Sequence, residues 1–139
     1  MWLLDTNVVS EIGRSRANPA VLAFISSKPI DSLYVSSIVL AELQHGIELL
    51  SDLDRRLLYS SWLDGTIRPM FGARVLHVTE ETMLRWLLIV CEGRRKGRTY
   101  PEPDMLLGSV ALQNGMTLVT RNTQDFEGSA VPVLNPWSD

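Results

Sequence analysis

The sequence predicts an α/β domain with a mostly parallel central sheet of about four or five strands and helices on both faces. The main observation is that short apolar runs alternate with longer stretches of helical period, as in strand–helix–strand units. The second observation is size, because 139 residues with 45% apolar content can bury a core without disulfides or a structural metal. We therefore expect one domain over residues 1–139.

The strand predictions are short apolar runs, and each is followed by a polar residue. They cover residues 2–4, 33–36, 75–78, 117–120 and 131–134. The intervening stretches are long enough for the helical crossovers that parallel strands require. The chain therefore reads as a series of parallel strands joined by helices.

Capping residues indicate where the helices begin and end. Asn18 followed by Pro19 is a strong start signal, and Thr79 caps a long helix whose last turn carries cations. Gly115 is the residue type that ends a helix in a left-handed conformation. The predicted helices cover residues 5–12, 18–27, 36–50, 52–64, 79–97 and 103–115.

Composition limits the classes of function. A net charge of −3 argues against a protein that coats nucleic acid through bulk charge, although a local basic patch is compatible with it. The single cysteine, Cys91, lies in an apolar run and is expected to be buried in a reducing compartment. The absence of a signal-peptide pattern or a long apolar span predicts a soluble cytoplasmic protein with no membrane contact.

Several polar residues follow strands and should meet at the carboxyl edge of the sheet. Asp5 follows the first strand directly, and Asn122 and Asp125 follow the fourth. Asp104 lies in the first turn of the helix that leads into that fourth strand. Glu42 lies five residues into the helix after strand two, about 8 Å below the rim. The topology thus predicts that four acids converge.

Such a cluster needs a cation to be stable. Two carboxylates 4 Å apart repel by about 4 kcal/mol at an effective dielectric of 20, and a divalent ion removes that penalty. Oxygen ligands favour Mg²⁺ or Mn²⁺, whereas His45, His77 and Cys91 lack the spacing of a zinc site. A site of this kind activates water for hydrolysis of a phosphodiester.

Each acid also has an ordinary explanation. Asp5 fits a helix cap, Asp104 complements a helix dipole, and Asp125 fits a surface turn. Glu42 is different, because apolar residues on nearly every side of its helix predict a buried carboxylate that requires a partner. The four acids together indicate more than any one of them.

The sequence resembles the PIN-domain ribonucleases over nearly its whole length. The matching segments are "LLDTNVVSEI", "SSIVLAEL", "PEPDMLLGSVALQNGMTLVTRNTQDF" and "VLNPW". The likeness is greatest to VapC-type toxins of type II toxin–antitoxin pairs, especially the FitB-like branch. It implies a three-layer PIN-like domain that cleaves RNA with Mg²⁺, forms a homodimer and is held inactive by a cognate antitoxin.

The resemblance also assigns roles to residues. Asp5, Glu42 and Asp104 match the family's acidic positions, with Asp5 and Asp104 as the principal metal ligands. Thr6 and Thr120 match hydroxyl positions that support the acids.

One position departs from the family pattern. Many PIN domains have an aspartate directly after the "TR" of the last motif, where this chain has Asn122. Asp125 lies three residues later and can present its carboxylate on the same face of a helical turn. We therefore expect Asp125 to be the fourth acid and Asn122 to support it.

A cationic stretch precedes Asp104 in the sequence. Its side chains and Arg121 are expected to guide RNA phosphates toward the metal, and a solvated helix end is the alternative explanation. The residues in this stretch are Arg94, Arg95, Lys96 and Arg98.

Two other functions compete with the nuclease. One is a non-catalytic PIN-like interaction module that kept the fold and lost the chemistry. The other is an aspartate phosphotransferase or phosphatase, but the phosphatase needs an acid where this chain has Asn7. The phosphotransferase and the phosphatase each need a lysine at the sheet edge, and neither Lys28 nor Lys96 follows a predicted strand.

Overall fold

The computed structural model describes residues 1–137, and within them five strands form a single parallel sheet. The strand order is β3-β2-β1-β4-β5. The strands are β1 (Trp2–Leu4), β2 (Leu33–Ser36), β3 (Val75–Leu76), β4 (Thr117–Val119) and β5 (Val133–Leu134). The predicted parallel sheet is confirmed, and its two edge strands are shorter than expected because each pairs with one neighbour over two residues.

The helices begin where capping chemistry predicts. The side chains of Asn18, Ser36 and Thr79 accept backbone N–H groups at three helix starts. The helices are α1 (Thr6–Val9), α2 (Pro19–Ser27), α3 (Ser37–Glu48), α4 (Leu53–Trp62), α5 (Arg68–Phe71), α6 (Glu80–Arg95) and α7 (Asp104–Gln113). Short 3₁₀ turns occupy Ile30–Ser32 and Thr123–Phe126, and a π-helical turn, Leu63–Ile67, joins α4 to α5.

The helices differ most from prediction in two places. Helix α1 ends at Val9, and turns carry the chain on to Gly13, which has a positive φ of 82°. Helix α5 was not predicted, because Gly65 and Pro69 interrupt the helical pattern in the sequence around it. Pro69 is the second residue of α5 and lies directly after the π-helical turn.

The order in which strands are added to the sheet reverses at its centre. The chain runs from β1 outward to β2 and β3, and then crosses back to β4 on the other side of β1. Right-handed crossovers place α2–α5 on one face and α6–α7 on the other, which gives three layers. A crevice is expected at the carboxyl edge between β1 and β4, where the strand order reverses. There the Asp5 N–H donates to the Val119 carbonyl at 2.9 Å.

The core lies between the central strands and the helices on both sides of them. Helix α7 is buried along most of its length and packs against the C-terminal part of the chain. A Cβ on its Gly108 would lie 3.0 Å from Phe126 and 3.1 Å from Val131, so glycine permits this close approach. Phe126 is 2% exposed and anchors the 3₁₀ turn beside α7.

Helices α6 and α7 run antiparallel. The Gln113 side chain at the end of α7 donates to Thr79 Oγ1 at 3.1 Å and accepts from the Thr82 hydroxyl at the start of α6. The end of α6 therefore lies beside the start of α7, and residues 96–103 connect them. This arrangement puts the cationic end of α6 at the same end of the helix pair as Asp104.

The outer face of α6 is exposed. Cys91 lies on it, so the expectation of a buried cysteine was wrong. The apolar residues around Cys91 suggested burial, but the neighbouring Leu87 and Leu88 are themselves exposed, at 54% and 60%. Among residues 1–137, no helix combines the length and apolar character needed to cross a membrane.

Candidate active site

Asp5 lies at the end of β1 and is 5% exposed. Its Oδ1 accepts the Thr6 N–H at 2.7 Å, and its Oδ2 accepts the Thr120 hydroxyl at 2.7 Å. Burial raises the pKa of Asp5, the two hydrogen bonds oppose that rise, and the charge of Asp125 adds to it. The carboxylate is thus fixed across the point where the strand order reverses.

Thr6 links Asp5 to Glu42. Its hydroxyl donates to Glu42 Oε1 at 3.0 Å, while its backbone N–H binds Asp5. Partial burial and the nearby charge of Asp5 raise the pKa of Glu42, against the hydrogen bond from Thr6. One threonine therefore sets the spacing of two carboxylates.

The expectation that Glu42 is buried was wrong, although the predicted partner exists. Glu42 is exposed at the rim of the crevice, whereas Val39 and Leu43 on the adjoining side of α3 are buried in the core. The apolar residues next to Glu42 in the sequence gave no indication that one face of this helix is exposed to solvent. That face is directed at the crevice.

Asp104 begins α7 and is half-buried. Burial, a hydrogen bond with Asp125, and the charges of Asp5, Asp125 and Glu42 together raise the pKa of Asp104 to about 7. The same contributions show that the four carboxyl groups lie close enough to interact. The predicted acids are brought together at one site.

Asp125, and not Asn122, supplies the fourth carboxyl group. The 3₁₀ turn places Asp125 in hydrogen-bonding contact with Asp104, and its own N–H donates to the Asn122 carbonyl at 3.1 Å. The Asn122 side chain is exposed, and its backbone N–H donates to Thr120 Oγ1 at 3.0 Å. Asn122 thus orients the hydroxyl that binds Asp5.

The cations at the end of α6 are exposed. Arg95 and Lys96 both pair with Glu92, at 3.3 Å and 3.6 Å, and Arg94 lies beside them. Exposed pairs of this kind contribute about 0–1 kcal/mol, so they hold these side chains only weakly.

The other two predicted cations contact the loops that carry the acids. The Arg121 guanidinium lies 5.2 Å from the Trp137 ring centroid, and its backbone N–H donates to Asn7 Oδ1 at 3.4 Å. Arg98 is half-buried, and its Nη2 donates to the Gln124 carbonyl at 3.0 Å.

A groove of about 380 Å³ opens beside Thr6 and Glu42. It contains Arg14, Arg55 and Tyr59, which sequence reasoning did not assign to the site. A signal was available for Arg14, because Thr6, Ser10 and Arg14 follow one another at four-residue spacing. Arg55 and Tyr59 come from α4, and only the packing of α4 on α3 brings them to the crevice.

The donor set fits a hard divalent cation. All four groups are carboxylates, the ligand type that Mg²⁺ and Mn²⁺ prefer, and burial together with the neighbouring carboxylates raises the pKa of Asp104. Within residues 1–137, however, no three acidic, imidazole or thiol side chains form a ready-made ligand group. The donors therefore suit an ion that keeps several waters and takes only one or two direct carboxylate ligands, as Mg²⁺ does.

Comparison with known proteins agrees with this geometry. The PIN domain model matches residues 2–128. The VapC ribonuclease Y4jK of Sinorhizobium fredii is 31% identical over 137 residues, covering 99% of this chain and 98% of that protein. Toxin FitB of Neisseria gonorrhoeae is 33% identical over the full length of both chains. The crystal structure of FitAcB from the same species has a TM-score of 0.93 at 32% identity and full coverage of both chains. The chain therefore belongs to the PIN-domain family and, within it, is similar to the VapC-type and FitB toxins.

Proposed function

We propose that this chain is a Mg²⁺-dependent endoribonuclease and the toxin of a type II toxin–antitoxin system. The observation that carries the proposal is the convergence of Asp5, Glu42, Asp104 and Asp125 at the reversal point of the sheet. The similarity to a VapC ribonuclease and to toxin FitB supports it. On this proposal residues 1–139 form one nuclease domain that acts in the cytoplasm.

Asp5 and Asp104 are the proposed ligands of the ion, which is Mg²⁺ or, alternatively, Mn²⁺. When bound, the cation supplies an activated water and charge stabilisation for phosphodiester hydrolysis. Thr120 and Thr6 hold both oxygens of Asp5 in place, and Thr6 also restrains Glu42. Burial and the neighbouring carboxylates favour a proton on Asp104 in the metal-free protein, and cation binding favours its release.

The proposed RNA contacts are cationic side chains around the crevice. Arg94, Arg95 and Lys96 are exposed at the end of α6, and Arg121 follows β4 beside the acids. They offset the negative charge of the cluster for an approaching phosphate. Their proposed contribution is affinity and salt dependence, with no part in the hydrolytic step.

The proposed protein partners are a cognate antitoxin and a second copy of this chain. Two apolar helix faces are exposed, one on α4 and one on α6, and contiguous apolar patches commonly mark interaction sites. They include Leu53, Leu57, Leu58, Leu84, Leu87 and Leu88, which are 54–67% exposed.

The structure lacks, within residues 1–137, the second acid and the lysine that the competing phosphotransferase or phosphatase would need at the sheet edge. Asn7 accepts a backbone N–H from Arg121 where a second acid is needed. Lys28 lies over the Trp2 ring at 4.8 Å, at the start of β1 and thus at the opposite edge of the sheet. Lys96 pairs with Glu92. The experiment below distinguishes a non-catalytic interaction module from a nuclease.

The test is RNA cleavage by wild type and Asp5→Asn, with Mg²⁺ and with chelator. We expect Asp5→Asn to reduce cleavage at least about 100-fold, because several kcal/mol of charge stabilisation is lost. Asp31→Asn is the matched control, since it removes an exposed carboxylate before β2, at the other edge of the sheet. Equal cleavage by Asp5→Asn would contradict the site.

Two further outcomes identify the alternatives. No cleavage by wild type, together with no Mg²⁺ binding in calorimetry, favours the interaction module. Covalent labelling of Asp5 by acetyl phosphate favours the phosphotransferase.

A further inference from the structure

We propose that Arg98 and Tyr100 are positioning residues that hold Asp125 at the acid cluster. This inference rests on the proposed metal-dependent nuclease and adds to it the device that allows a chain with Asn122 to supply a fourth acid. Residues 97–100 are called the strap below. They belong to the connection between α6 and α7.

The strap binds the backbone on both sides of Asp125. Arg98 Nη2 donates to the Gln124 carbonyl at 3.0 Å, and the Tyr100 hydroxyl donates to the Glu127 carbonyl at 3.4 Å. These carbonyls belong to the residue before Asp125 and to the second residue after it. The Asp125 backbone is therefore held between two bonds from one short segment.

The strap is itself held firmly. Tyr100 is 9% exposed, and a Cβ on Gly93 would lie 2.6 Å from its ring, so the ring packs directly on the α6 backbone. The Arg98 guanidinium lies 5.4 Å from the centroid of that ring, within the range of a cation–π contact. The Arg98 backbone N–H also donates to the Gly93 carbonyl at 2.7 Å.

This environment suits Arg98 to positioning better than to RNA binding. Its Nε is buried and has no hydrogen-bond partner within residues 1–137, and its Nη2 is already bonded to Gln124. An arginine that binds phosphate uses the donors of its planar fork for the phosphate oxygens. Arg95, by contrast, is exposed and pairs only with a surface glutamate.

The strap also leads directly to the second acid. Four residues after Tyr100 the chain enters α7 at Asp104, and the Met105 N–H donates to the Pro101 carbonyl at 2.9 Å. Phe126, packed against Gly108, anchors the other side of the 3₁₀ turn. The separation of Asp104 and Asp125 is thus set by the strap on one side and by α7 on the other.

The experiment compares Arg98→Ala and Arg98→Lys with the control Arg95→Ala in four readouts. These are Mg²⁺ affinity by calorimetry, kcat, KM with its salt dependence, and hydrogen exchange of the Asp125 amide. We expect both Arg98 variants to weaken Mg²⁺ binding about 10-fold or more, as loss of an outer-shell partner does. We also expect them to lower kcat with KM and salt slope unchanged, and to speed exchange of the Asp125 amide.

The lysine variant separates charge from geometry. It keeps the positive charge but cannot reproduce the stacked planar donor, so it should resemble Arg98→Ala. Arg95→Ala should leave Mg²⁺ affinity, kcat and exchange unchanged and alter only KM and its salt slope. In an Asp125→Asn background, Arg98→Ala should have no further effect on Mg²⁺ affinity, because the two residues act as one unit.

A different result would overturn the inference. It fails if Arg98→Ala keeps Mg²⁺ affinity and amide exchange while KM rises and the salt slope falls, since Arg98 is then an RNA contact. If wild type neither binds Mg²⁺ nor cleaves RNA, the proposed function fails. In that case hydrogen exchange of the Asp125 amide still tests whether the strap holds Asp125. Unchanged exchange in Arg98→Ala would contradict that role. Tyr100→Phe, which removes only the bond to Glu127, gives a smaller effect of the same kind if the strap acts as proposed.

Discussion

Replacing Asp104 with asparagine should stabilise the metal-free protein at neutral pH. The folded protein holds a proton on Asp104 up to a pKa of about 7, whereas the unfolded chain releases it near 3.8. Between these values the folded state binds more protons than the unfolded state, so the free energy of unfolding falls as pH rises. Below about pH 4 the penalty is absent, and above about pH 7 it is complete.

The magnitude follows from the two pKa values. The interval from 3.8 to about 7 corresponds to about 4 kcal/mol without solvent screening. Asp104 is only half-buried, and solvent screening at such a position reduces the usable figure to about 1–2 kcal/mol. For a chain of this length, that gain raises Tm by about 3–6 °C.

The assay is urea or thermal unfolding in chelator at pH 5 and pH 8, with wild type, Asp104→Asn and Glu127→Gln. Glu127→Gln removes an exposed carboxylate two residues beyond Asp125 and controls for net charge. We expect Asp104→Asn to be more stable than wild type at pH 8 and to lose much of that advantage at pH 5. Saturating Mg²⁺ should stabilise wild type more than the variant, because only wild type keeps both proposed ligands. Lower stability of Asp104→Asn at pH 8 in chelator would refute the electrostatic reasoning.

Three further predictions concern the supports of the site and the apolar face of α6. Thr120→Val should destabilise the protein by about 1–3 kcal/mol in chemical denaturation, because it leaves a buried oxygen of Asp5 unpaired, whereas Thr120→Ser should keep most of the stability. Asp125→Asn should lower the pKa of Asp104 in an NMR pH titration, because it removes a neighbouring charge, and an unchanged titration would contradict the contact. Leu88→Glu should dissociate the proposed homodimer in light scattering, and a dimer that persists would exclude this face as its interface.

Much of the fold follows from local chemistry that the sequence displays. Asn18, Ser36 and Thr79 start helices because their side chains satisfy free N–H groups, and this depends only on neighbouring residues. Convergence of the acids was predictable because parallel strands direct their carboxyl ends to one edge. The choice between Asp125 and Asn122 depended on the 3₁₀ turn, whose direction is set by distant contacts with Arg98 and Phe126.

Other features lay outside the reach of sequence patterns. Glu42 and Cys91 each sit among apolar residues in the sequence, but their helices present one side to solvent. Which side is covered depends on the packing of other helices, or on partners, and neither is encoded in periodicity. Arg14 and Arg55 come from separate helices, and tertiary packing alone places them in one groove.

The most direct test of a metal site at the acid cluster is anomalous diffraction from a crystal soaked in Mn²⁺. We predict a peak contacted by the carboxylates of Asp5 and Asp104, at the carboxyl edge between β1 and β4, that is lost in Asp5→Asn. Absence of a peak there, or a peak of equal height in Asp5→Asn, would contradict the account.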